Sequence, residues 1–129
     1  MKSKVNATHQ AKETKEVLTK LDGLHKQGWA WTKELNRTNA SLYELLAQCL
    51  EIYYEIKGKN IENLVIKSMV KTLEDRGFVV KKHPKIINLI VRYVFNTERR
   101  RVYSYARALN IAINDGIKTD RFSGWVLDQ

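Results

Sequence analysis

A single cysteine, Cys49, stands in 129 residues. One thiol excludes an intrachain disulfide and any cysteine-based zinc site within the chain. Nothing therefore calls for an oxidising compartment, and a reducing cytoplasm is the expected location. Cys49 lies in an apolar helical pattern, where it reads as a small buried hydrophobe. Long hydrophobic runs are also missing. The longest, from Ile86 to Phe95, contains Asn88 and Arg92 and is far too short to span a bilayer. No membrane association is expected. The opening stretch MKSKVNATHQAKETKE carries charge and no apolar segment, so no secretory leader is expected.

Catalytic and cofactor signatures are absent as well. The six glycines are scattered and form neither a Walker-type phosphate loop nor a Gly-x-Gly-x-x-Gly turn. His9, His25 and His83 are far apart and match no metal-ligand spacing. Glu44, Glu51 and Glu55 share a helical face, and that spacing makes them a solvated outer surface rather than a carboxylate cleft. Tyr103 and Tyr105 sit near several arginines, but no histidine in that segment could serve as acid or base for phosphodiester attack. The chain is expected to be no enzyme, with no cofactor, no metal and no catalytic residue.

What is present is positive charge. The net charge is +9, and it is uneven. Residues 1–40 carry +4, residues 41–77 carry −1, and residues 78–129 carry +6. A near-neutral centre with two basic edges favours polyanionic partners or acidic protein surfaces. The hydrophobic fraction of 43% and charged fraction of 29% belong to a folded globular chain.

Apolar residues recur at helical spacing almost throughout, which predicts an all-α fold: a compact bundle of five or six helices. Residues 1–10 read as a flexible tail and 11–129 as one helical domain. A first helix is expected from Ala11 to Gln27, with Thr14, Val17, Leu18, Leu21 and Leu24 inward and Gly28 as its stop. Gly28 to Asn36 reads as a connecting segment or half-length helix, and Arg37 to Ser41 as a turn. Ser41 and Glu44 have capping-box spacing ahead of an amphipathic helix reaching Lys57. Asn60 reads as the N-cap of a helix from Ile61 to Asp75, with Ile61, Leu64, Val65, Ser68, Met69 and Leu73 inward and closure at Gly77. Phe78-Val79-Val80 could form a short extended piece. A helix from Pro84 to Phe95, apolar on nearly all sides, belongs in the middle of the domain or in an oligomer interface. Another follows from Glu98 to Asn114, stopped by Gly116, with Val102, Ala106, Leu109 and Ile113 inward. A last short helix packs back through Phe122, Trp125 and Val126.

The helices of residues 84–95 and 98–114 can be drawn as a helix-turn-helix-like pair, with the second as reader. At 100° per residue, Arg100, Ser104 and Arg107 fall on one outward face, flanked by Arg101 and Tyr103, with Arg99 at the helix start. Guanidinium groups, a hydroxyl and a phenol can reach phosphates or base edges. Ala108 and Ile111 near that face suggest that its lower end is covered by the C-terminal segment or by a partner. Lys81, Lys82 and Lys85 form a second basic cluster suited to phosphate. These residues point to a small nucleic-acid-binding protein, with DNA favoured over RNA, in a regulatory or accessory role. A homodimer would double such contacts. The alternative is a protein–protein module, an adaptor or inhibitor, using Trp29, Trp31 and Trp125 as interface anchors.

Overall fold

The computed structural model describes the backbone of residues 2–33, 39–95 and 99–127, and side chains within 8–31, 40–95 and 101–126. Six helices follow in order: α1 (Lys2–Lys33), α2 (Asn39–Lys59), α3 (Glu62–Asp75), α4 (Ile86–Val94), α5 (Arg99–Asn114) and α6 (Thr119–Leu127). No strand occurs among the described residues, so Phe78-Val79-Val80 is an irregular connection.

The first helix differs most from the pattern reading. It is already helical at Lys2 and runs through Gly28 to Lys33 instead of stopping at Gln27. Its buried positions explain why. Thr14, Val17, Leu21, Leu24, Gly28 and Trp31 alternate steps of three and four, so one unbroken stripe faces the core. Gly28 occupies a contact point in that stripe. A Cβ built on it would stand 2.4 Å from the Val94 carbonyl oxygen of α4. The absence of a side chain lets the two backbones approach closely.

Three helices end in the same way, each with a left-handed residue. Gly77 has φ +93° and Gly116 φ +71°, as expected for the two glycine stops. At Gly77, its N–H donates to the Glu74 carbonyl at 3.0 Å and the Phe78 N–H donates to Leu73 at 3.0 Å. This paired pattern is a Schellman motif. The third case is Asn60, at φ 56°, whose N–H donates to Lys57 at 3.3 Å while that of Ile61 donates to Ile56 at 3.4 Å. Asn60 therefore closes α2 and does not cap α3, whose N-cap is Ile61 without a side-chain hydrogen bond. Two other boundaries shift. Ser41 lies inside α2, which is already helical at Asn39, so it does not take the N-cap place of a capping box. Pro84 lies ahead of α4, where Lys85 is the extended N-cap.

The core sits around α4, which packs against α1, α2, α3 and α5. Seven of its nine residues are buried, from Ile86 to Val94 with only Asn88 and Arg92 left out. Its all-round apolar surface is consumed inside the fold. Each fully buried aliphatic side chain of this kind contributes about 1.5–3 kcal/mol relative to exposure. α2 adds Leu45, Leu46, Cys49, Leu50, Ile52 and Ile56, and α6 returns to α2 through the buried Phe122. In α3, Ile61, Val65, Met69 and Leu73 face inward as expected, whereas Leu64 is exposed.

Polar ties fix the layers. The Tyr93 hydroxyl of α4 donates to the Asp22 carboxylate of α1, and the Arg76 guanidinium lies 4.4 Å from the Tyr93 ring centre. Burial, then the bond to Asp22, pushes the Tyr93 phenol up to about 12. The Tyr54 hydroxyl donates to the Ile117 carbonyl at 2.8 Å, joining α2 to the turn before α6.

Candidate functional site

The two basic clusters of the sequence meet at one groove. A concavity of about 380 Å3 lies between the 79–85 segment, α4 and α5. Val79, Val80, Lys81, Pro84 and Lys85 form one wall, Asn88, Leu89 and Arg92 of α4 the floor, and Val102, Tyr103 and Ala106 of α5 the other wall. Its charged lining is entirely cationic.

Each side chain is placed by a definite local cause. The Gly77 turn sends the chain back toward α4. Arg92 then holds it there: Nη1 donates to the Val79 carbonyl at 3.2 Å, and the guanidinium lies 5.5 Å from the Phe78 ring centre. His83 takes a left-handed conformation, φ 54°, immediately before Pro84 and the start of α4. Lys85, Asn88 and Arg92 are spaced three and four apart, so they share the single face of α4 that escapes burial. On α5, burial of Ala106, Leu109 and Ala112 turns Tyr103 outward. Tyr103 and Val79 are the most exposed large hydrophobics among the described residues, at 72% and 84%. Both border this groove.

Of the residues singled out in the sequence, Lys81, Lys85 and Tyr103 line the groove. Lys82 is exposed nearby without lining it. Arg101, Ser104 and Arg107 are exposed on α5 outside the groove, with Arg107 one turn beyond Tyr103. Among the described residues, neither Arg101 nor Arg107 forms an ion pair; the ion pairs seen are His9–Glu13, Lys20–Glu55, Lys57–Glu62 and Lys59–Glu55. The side chains of Arg99 and Arg100 lie outside the described residues. The lower end of the α5 face is not covered at Ile111, which is exposed, and α6 packs on α2 instead.

The tryptophans separate. Trp31 is 8% exposed and stacks edge-on against Phe95 at 6.2 Å, so it belongs to the core and not to an interface. Trp29, two positions earlier and on the opposite side of α1, is 39% exposed. Trp125 is half-buried beside Phe122. Val79, Asn88 and Arg92 were not singled out as site residues. The available signal was the pair of polar residues, four apart, in an otherwise apolar helix.

No group of three or more histidine, cysteine or acidic side chains among the described residues could hold a metal ion. Glu55 of the acidic line pairs with Lys20 at 2.5 Å, while Glu44 and Glu51 are exposed. No helix among the described residues is long and apolar enough to cross a membrane. Compared with known proteins, the chain matches no protein-family model, no curated protein and no solved structure.

Proposed function

We propose that this is a small nucleic-acid-binding protein, acting on DNA in a non-catalytic regulatory or accessory role. One observation carries the reading. Lys81 and Lys85, some twenty residues from Tyr103 in sequence, share a groove with it in which no carboxylate takes part. Arg101 and Arg107 extend the cationic surface along α5. Cations spaced along an edge without internal neutralisation are what a phosphate backbone requires. The adaptor or inhibitor alternative has less support: of its three anchors Trp31 is buried in the core, and the apolar surface of α4 is also taken up by the fold.

The test is a salt-titrated binding measurement with duplex DNA, single-stranded DNA and duplex RNA side by side. Contacts from Lys81, Lys85, Arg101 and Arg107 give a log–log salt slope of roughly −3 to −4 on DNA, at about −0.7 to −0.9 per neutralised phosphate. Arg101→Glu with Arg107→Glu should abolish binding and leave the helical circular dichroism unchanged. Background-level binding to all three probes, or affinity undiminished by that double change, refutes the reading.

A further inference from the structure

We infer that the groove receives an unstacked nucleobase, so that the protein selects single-stranded over duplex DNA. This rests on the nucleic-acid reading and adds the form of ligand. The groove has three parts that match a nucleotide. Between its polar residues the lining is apolar, from Leu89, Val102 and Ala106. Tyr103 presents a mostly solvated ring at the edge, and Val79 stands exposed on the other side. Its polar groups are the Lys81 and Lys85 ammonium groups, the Arg92 guanidinium, which is bonded to the Val79 carbonyl, and the Asn88 amide, which can both donate to and accept from a base edge.

Size and shape narrow the occupant. At about 380 Å3 the groove is near the lower end of small-ligand pockets, room for one planar group and not for a docked helix. A paired base offers only its edges to a protein. Its faces are covered by stacking within the duplex, so the Tyr103 ring at the groove edge finds no free face to stack on. A single strand exposes those faces, and base–aromatic stacking is the usual way proteins hold one. Arg107, exposed one turn from Tyr103, and Lys81 in the groove lining supply cations for the flanking phosphates of a seated base.

The experiment uses the full chain and fluorescently labelled DNA of roughly 16 nucleotides, the upper end of a single binding module, as a single strand and as the duplex of the same sequence. Salt is varied between about 50 and 200 mM. The wild type should bind the single strand at least about tenfold more tightly than the duplex. Tyr103→Ala should weaken single-strand binding by about five- to one-hundred-and-fifty-fold, the range of one lost stacking contact, and duplex binding by a much smaller factor. Tyr103→Phe should restore the wild-type affinity. A 2-aminopurine in the strand should be quenched by wild type and Tyr103→Phe, and not by Tyr103→Ala. Tyr103 is solvent-facing, so these variants keep the fold, which thermal melts verify. Lys81→Glu with Lys85→Glu should weaken both ligands. Duplex binding as tight as single-strand binding, with Tyr103→Ala neutral on both, overturns the base-seating inference and leaves DNA binding standing. No binding of either form at the lowest salt overturns both.

Discussion

Replacing Gly28 and Gly23 separately by alanine isolates the close approach of α1 to α4. Both glycines lie inside the same helix, so the intrinsic gain from alanine, about 1 kcal/mol in a helix interior, is common to the two variants. Their surroundings differ. A Cβ at Gly23 meets nothing within 4 Å. At Gly28 it meets the Val94 carbonyl oxygen at 2.4 Å, and the Val94 carbonyl carbon and Cγ1 at 3.2 Å. The first obstacle is backbone in the last turn of the most buried helix, so it cannot rotate away as a side-chain tip would. The two helices must separate, and overpacking of this kind costs about 1–3 kcal/mol. Backbone resistance places Gly28→Ala at the upper end, about 3 kcal/mol, offset by about 1 kcal/mol of helix propensity. The expected net loss is about 2 kcal/mol, against a gain of about 0.5–1 kcal/mol for Gly23→Ala. Urea unfolding followed by far-ultraviolet circular dichroism and tryptophan fluorescence measures both. Midpoints should move in opposite directions with unchanged slopes. In thermal melts, Gly28→Ala should fall by roughly 8 °C, at about 4 °C per kcal/mol for a chain of this size. If Gly28→Ala proves as stable as Gly23→Ala, the close helix contact is not a feature of the folded protein.

Burial pushes the Cys49 thiol up to about 12, from an ordinary thiol value of 9.0. The folded chain holds this proton while the unfolded chain releases it, so the thiol's contribution to stability is intact below pH 9 and declines as pH rises from 9 toward 12. Cys49→Ala should make that decline shallower, most clearly between pH 9 and 10, below the range where the raised Tyr93 phenol adds its own, and in the native wild type a thiol reagent at neutral pH should label only molecules that have opened. A flat stability profile above pH 9, or immediate stoichiometric labelling, contradicts the burial. At the helix ends, Gly77→Ala should cost about 1 kcal/mol or more because alanine is strained in the left-handed region, whereas Asn60→Gly should be neutral or stabilising. Denaturation midpoints that rank these two variants in the reverse order would refute the shared closing motif.

Much of the fold was legible in the residues. Six stretches carry apolar spacing of three and four, and six helices form. Gly77 and Gly116 follow the last periodic positions of α3 and α5 and take the left-handed conformation there. The apolarity of residues 86–95, broken only at Asn88 and Arg92, pointed to the middle of the domain or to an oligomer interface, and α4 lies in the middle. The errors came from local signals that compete. Gly28 is both a common helix stop and a member of the stripe Leu24, Gly28, Trp31. Asn60 suits an N-cap as well as a left-handed closing position, and the backbone uses the second because Ile61 and Val65 must turn straight onto the core.

Composition, periodicity and charge sums are properties of the chain itself, and they determined the helical class, the inward faces and the basic surplus of the last third. They determine how much charge a segment carries but not what lies beside it. Only tertiary packing decided that Trp31 enters the core while Trp29 stays half in water, and that Lys81 and Lys85 face Tyr103 across a groove with Asn88 and Arg92 beneath them. The physical reason is that helical periodicity is read within one element, whereas a groove is made where α4 and α5 meet a connecting segment that carries left-handed residues at Gly77 and His83. Its position depends on how closely neighbouring backbones can approach, which no one helix encodes alone.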